Sequence, residues 1–191
     1  MSKIDAIIFD LDGTLTEPIL DFDQIRSQIG IERGPVWETI LQMSPEARQK
    51  AESVLLEHEL YAARNCKLQP HTLELLGELR NRSMGLAILT RNCRASWEIV
   101  RDRFNLGIQQ VYAREDGPVK PDPTAVIELA RQMNVELGRT LVVGDYLFDI
   151  QAGKNAGTLT ALLVNHGLVP DYSHIADYVI HDLLEILAVI D

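Results

Sequence analysis

Apolar positions in this chain follow two periods, and where each period holds decides the elements. Ile4 to Phe9 is β-branched or aromatic at four of its six positions and reads as a buried strand of a parallel sheet. From Glu17 to Pro70 the spacing turns helical, with no convincing strand. Phe22, Ile25 and Ile29 mark a short amphipathic helix ending near Gly30, and Val36, Ile40 and Met43 mark a second. Ser44 and Pro45 give a third helix its N-cap and first-turn proline. That helix carries Ala47, Ala51, Val54, Leu55, His58 and Ala62 on one face. Structureless connections beyond about 12–15 residues are uncommon, so 17–70 is expected to be an inserted helical subdomain between core segments 1–16 and 71–191.

Beyond His71, helices and strands alternate. A helix over 71–82 with Leu73, Leu76 and Leu79 inward precedes a strand from Leu86 to Thr90. A helix over 92–104, with Trp97, Val100 and Phe104 on its core face, precedes a short strand over 109–113. A helix over 121–133 opens on Pro121 and leads to the buried strand Thr140–Gly144. A short helix from Leu147 ends at Gly157, strands follow over 158–164 and 178–180, and a helix over 183–190 closes the chain. This rhythm predicts an α/β fold, a doubly wound parallel sheet with helices on both faces.

Composition narrows the partners. Of 191 residues, 46% are hydrophobic and 24% charged, which is ordinary for a globular chain. The formal net charge of −10 disfavours nucleic acid and anionic membranes, both of which need a positive face. An anionic substrate is repelled as well, unless a bound cation and a few basic groups reverse the field locally. Cys66 and Cys93 have no metal-like spacing. No leader precedes the first strand and no apolar run of about 18 residues occurs, so a cytoplasmic location is expected.

Against that acidic background, four strand ends carry polar residues where open α/β sheets bind ligands. Asp10 and Asp12 follow the first strand, and two carboxylates this close call for a shared proton or a cation. Magnesium, which takes oxygen ligands, is the natural candidate. The same run also makes a plain turn, with Asp10 as cap and Gly13 at positive φ. Thr90 either caps the next helix or, with the Arg91 and Asn92 N–H groups, holds a phosphate oxygen at a helix N-terminus. Lys120 opposes the dipole of the helix it precedes, so it is expected to answer to an acid or an anion. Asp145 and Asp149 each pass singly as a cap or first-turn acid. Neither explanation covers two pairs of acids at two strand ends together with a lysine.

Assembled, these residues form a phosphoryl-transfer centre. Asp10 is the expected nucleophile, and Asp12 the acid that protonates the leaving oxygen and then deprotonates water. Asp145 with Asp149 would hold magnesium against Asp10, while Lys120 and Thr90 orient the phosphoryl oxygens. Gly13, Arg91 and Asn92 are expected around the phosphate. Arg33, in the turn 30–35, is either a contact to the substrate's distal anion or a solvent-exposed arginine, and His71 is a further hint.

The run Asp10-Leu-Asp12-Gly-Thr, with Thr90, Lys120 and Gly144-Asp145 through Asp149, resembles the four motifs of the haloacid dehalogenase superfamily. They stand in order and at family-like intervals across essentially the whole chain. The resemblance implies a Rossmann-like core, a small inserted helical cap and Mg2+ held by Asp10, Asp145, Asp149 and Asp12, the last usually through its backbone carbonyl. Because dehalogenases generally lack the second acid, Asp12 implies a phosphohydrolase or phosphomutase, similar to the phosphoglycolate phosphatase branch. Two features depart from that branch: Glu17-Pro18 stands where an Asp-Ser pair is usual, and the block is shorter than the common four-helix cap. A small cap implies an open site. The expected activity is magnesium-dependent hydrolysis of a small phosphorylated metabolite through an aspartyl-phosphate, by a monomer or homodimer. The alternatives are a phosphomutase on a sugar phosphate, which needs water kept out, and a phospho-acceptor signalling or binding protein, against which Asp12 and the late acid pair speak.

Overall fold

The computed structural model describes residues 4–165 and 167–191. At its centre lies β1 (Ala6–Phe9), hydrogen-bonded to β2 (Gly85–Leu89) on one side and β4 (Thr140–Gly144) on the other. With β3 (Gln110–Tyr112), β5 (Leu159–Leu163) and β6 (Tyr178–Ile180) the order is β3-β2-β1-β4-β5-β6, and every pairing is parallel. The chain winds outward from β1 in one direction, then returns to β4 and winds in the other. The switch point therefore opens a crevice at the carboxyl ends of β1 and β4.

Side chains of β1 alternate between two apolar layers, as the strand period requires. Ile7 and Phe9 enter a layer built with α4 (Thr72–Asn81), α5 (Arg94–Phe104) and α8 (Ile186–Ile190). Ile8 enters the other, with α6 (Thr124–Gln132) and α7 (Leu147–Ala156). The first layer contains Trp97, fully buried, whose indole Nε1 has no hydrogen-bond partner among the described residues. Both cysteines are free and buried. No helix among the described residues is long and apolar enough to cross a membrane.

Between β1 and α4 come α1 (Phe22–Ile29), α2 (Val36–Leu41) and α3 (Pro45–Asn65). Gly30 closes α1 in the left-handed region at φ 73°, and the Ser44 hydroxyl caps α3 through the Ala47 N–H. These helices enclose an apolar cluster of their own, centred on Ile25, Val36, Ile40 and Leu55. Near its C-terminal end α3 joins the sheet's core instead: Ala63 and the following Cys66 pack in the Trp97 layer. At the neck the outgoing and returning chains run side by side, with the Glu17 N–H donating to Lys67 and the Gln69 N–H to Leu15, both at 2.9 Å.

The structure corrects several details of the sequence reading. Leu73 is half exposed, and α4 instead buries Thr72, Leu75, Leu76 and Leu79. The Thr72 hydroxyl, within reach of the Leu15 and Gln69 carbonyls at 3.1 and 2.9 Å, fixes that rotation. On α3, Ala47 is exposed and His58 half-buried, and the inward face includes Glu59. Lys120–Pro121 is cis, and α6 begins only at Thr124. The last helix divides into a 3-10 turn, Leu183–Glu185, and α8.

Gly153 seats α7 on the sheet: a Cβ there would lie 2.5 Å from Thr160 Cγ2 and 3.1 Å from Val142 Cβ. Gly153→Ala gains about 1 kcal/mol of helix propensity but overpacks buried, β-branched neighbours at about 1–3 kcal/mol. A net loss of roughly 1 kcal/mol is expected, read as a lower urea midpoint at unchanged m-value. An unchanged or higher midpoint would show that this contact does not seat the helix.

Candidate active site

The Asp10 N–H donates to the Val143 carbonyl at 2.9 Å, continuing the β1–β4 ladder by one residue, so Asp10 sits at the switch point. The chain then turns tightly: the Leu15 and Thr16 N–H groups both return to the Leu11 carbonyl at 3.0 Å. Gly13 has φ +92°, and a Cβ there would stand 2.3 Å from Asp145 Oδ2. Glycine is thus required twice, for its backbone and for the approach of a carboxylate. The Thr14 hydroxyl lies 3.2 Å from Asp145 Oδ1 and 3.4 Å from Asp10 Oδ2, in reach of both.

Asp145 follows β4, and Asp149 lies in the first turn of α7. The Tyr146 N–H donates to Asp149 Oδ2 at 3.1 Å. A Cβ on Gly144 would fall 2.2 Å from Asp149 Cγ, so that glycine makes room for the acid. Asp10, Asp145 and Asp149 each bring a carboxylate oxygen to within 4.8 Å of the others. The Asp12 carboxylate lies outside this group but lines the same cavity.

Lys120 is 3% exposed, and its Nζ donates to Asp10 Oδ1, to Asp149 Oδ1 at 2.5 Å and to the Leu89 carbonyl at 3.0 Å. Three ammonium hydrogens meet three acceptors. Burial opposes its charge, but Asp10 and Asp149 outweigh that and hold the ammonium up at about 12. Burial lifts Asp10 to about 6, with Lys120 pulling down and Asp149 pushing up. Burial, then Asp10 and Asp149, lift Asp145 to about 8. Burial, then Asp10 and Glu59, lift Asp12 to about 7. One buried lysine against three clustered carboxylates leaves negative charge uncompensated. Hard oxygen donors with an excess of negative charge fit a magnesium ion.

Thr90 is buried, and its Oγ1 accepts from the Asn92 N–H at 3.1 Å. Thr90, Arg91 and Asn92 all line the cavity, ahead of the helix that follows them. α5 begins at Arg94, and its first N–H groups already face the chain's own acids: Cys93 N–H donates to Glu59 Oε2 at 3.0 Å, Arg94 N–H to Glu115 at 3.0 Å. The Arg91 guanidinium is likewise engaged, with both oxygens of Glu38 at 2.8 Å and with the Lys120 carbonyl.

Arg33 is solvent-exposed and does not line the cavity. Its turn buries Ile31 instead, and Arg26, one helix earlier, is the α1 arginine that lines the space. His71 is also outside, paired with Asp182 at 2.7 Å. Sequence reasoning missed Thr14, Glu59 and Arg114. Glu59 is 1% exposed and accepts from both terminal guanidinium nitrogens of Arg114, from Nη2 at 3.0 Å. Its signal was readable: an acid one turn after Leu55 on the apolar face of α3. Arg114, just past β3, carried no such mark.

Known proteins share this fold. The family model of haloacid dehalogenase-like hydrolases matches residues 4–157. A haloacid dehalogenase-like hydrolase domain-containing protein of Arabidopsis thaliana is 30% identical over 179 residues, covering 87% of this chain and 73% of that protein. A phosphoglycolate phosphatase of Aquifex aeolicus is 27% identical, covering 97% of this chain and 96% of its own. A crystal structure titled as a predicted phosphoglycolate phosphatase of Haemophilus somnus superposes with a TM-score of 0.81 over all of both chains at 18% identity, a likeness of fold. The chain belongs to the haloacid dehalogenase-like hydrolases.

Proposed function

We propose that this hydrolase is a magnesium-dependent phosphatase that cleaves a small phosphomonoester through an aspartyl-phosphate on Asp10. The observation that carries the reading is the convergence of Asp10, Asp145 and Asp149 around the Lys120 ammonium, at one wall of a cavity of about 640 Å3 that Asp12 also lines. The phosphatase name of the Aquifex aeolicus relative supports the same class.

In this reading Lys120 fixes the Asp10 carboxylate for attack on phosphorus and screens it from Asp149. Asp12, raised to about 7, keeps a proton near neutrality for the leaving oxygen. As a carboxylate it then accepts a proton from the water that attacks the aspartyl-phosphate, completing two easier displacements in place of one. Thr90 and Asn92, on the cavity wall, would offer polar groups to the phosphoryl oxygens, while the Thr14 hydroxyl lies against Asp10 and Asp145. Magnesium, held by Asp10, Asp145 and Asp149, would supply the charge that lets a phosphate dianion approach three carboxylates. The chain divides on this reading into a core, 1–16 and 71–191, and a helical cap, 17–70, with α3 reaching into both.

The direct test is phosphate release from a panel of phosphomonoesters, sugar phosphates, phosphoglycolate and nucleotides among them, with magnesium and with excess chelator. Turnover of one or a few compounds that chelator abolishes is the expected result, and no release by folded protein would defeat the reading. Asp10→Asn should lower kcat by about a thousandfold or more while thermal unfolding is nearly unchanged, because the attacking oxygen is lost. Retained activity would remove Asp10 as nucleophile. Asp145→Ala should raise the magnesium concentration for half-maximal activity by about tenfold or more; an unaltered requirement would exclude it as a ligand.

A further inference from the structure

The cavity, about 640 Å3, is far larger than a phosphoryl group requires, and much of its wall away from Asp10 is apolar. Phe22, Trp37 and Leu55 come from the three inserted helices, Tyr146 from the β4–α7 connection and Phe148 from the first turn of α7. Two of these aromatics are left open to solvent, Phe22 at 46% and Tyr146 at 55% exposure. Tyr146 stands edge-to-face with Phe148, ring centroids 5.2 Å apart. Aromatic surface left uncovered around a cavity on a strongly acidic chain marks a place where an apolar ligand is buried.

The inner cations lining the same space, Arg91, Arg114 and Lys120, are taken. Arg91 pairs with Glu38, Arg114 with Glu59, and Lys120 with Asp10 and Asp149, whereas Arg26 meets Asp23 in an exposed pair that contributes little. Arg91 and Arg114 also lie over aromatic rings, 4.8 Å from the centre of Phe148 and 4.6 Å from that of Trp37. At Arg91, Arg114 or Lys120 a second anionic group on the substrate would have to displace a resident carboxylate, charge for charge, and be desolvated against an apolar wall.

Resting on the phosphatase reading, we infer that the substrate is the phosphomonoester of a bulky, largely apolar, ring-bearing alcohol with no second anionic group, and that Phe22, Trp37 and Phe148 determine this specificity. The inserted helices then select by apolar contact, not by a distal arginine.

The test compares kcat/KM for 2-phenylethyl phosphate, ethyl phosphate and phosphoglycolate, with magnesium. The first two release primary alcohols of similar acidity, so the chemical step favours neither and their ratio reports the wall. The unaltered protein is expected to prefer 2-phenylethyl phosphate over both others by about tenfold or more. Phe22→Ala and Trp37→Ala should each reduce its advantage over ethyl phosphate by about threefold or more, chiefly through KM. Phe22 is exposed, so its variant reads the wall even if Trp37→Ala disturbs α2. Equal kcat/KM for the three esters, a preference for phosphoglycolate, or a preference untouched by both variants overturns this inference and leaves the phosphatase reading standing. No phosphate from these esters or from the wider panel, by folded protein, overturns both.

Discussion

One ammonium group governs the arrangement of the site. Lys120 Nζ donates to Asp10 beyond β1, to the Leu89 carbonyl of β2 and to Asp149 of α7, tying three elements at the switch point through a single buried atom. Without that charge Asp10 and Asp149 would face each other across a poorly hydrated gap. Removing one partner of a buried ion pair typically costs about 3–5 kcal/mol, more than surrounding packing readily replaces. The lysine nevertheless balances only part of the acid. What remains, on Asp145 above all, is the deficit that a divalent cation matches.

The glycines nearest this centre serve the carboxylates as much as the backbone. At Gly13 and Gly144 a side chain would occupy the space of Asp145 and Asp149. Acids can crowd here only because the two strand-end loops give up their own side chains, so the motif's small residues and its charged ones are two halves of one packing solution.

Much of this was legible in the sequence, for a definite reason. Strands buried on both faces read as apolar runs, and the rule that ligands gather at their carboxyl ends brings Asp10, Lys120, Asp145 and Asp149 together before any coordinate is known. What escaped was set by contacts between distant segments. The rotation of α4 follows from the Thr72 hydroxyl reaching Leu15, so Leu75 turned inward where Leu73 was expected. The N–H groups opening α5 meet Glu59 and Glu115, 34 and 21 residues away in sequence. Which arginine of the helical block lines the cavity depends on how three helices pack, and periodicity cannot separate Arg26 from Arg33.

The indoles fall on opposite sides of this architecture. Trp97 is sealed in the apolar layer between sheet and helices, while Trp37 lines the cavity beneath the Arg114 guanidinium. These are the only tryptophans in the chain. Emission from Trp97 follows the integrity of the sheet, and emission from Trp37 follows whatever displaces water from the cavity. The protein therefore carries its own pair of optical reporters, one for folding and one for occupancy, separable by solvent quenching without any added label.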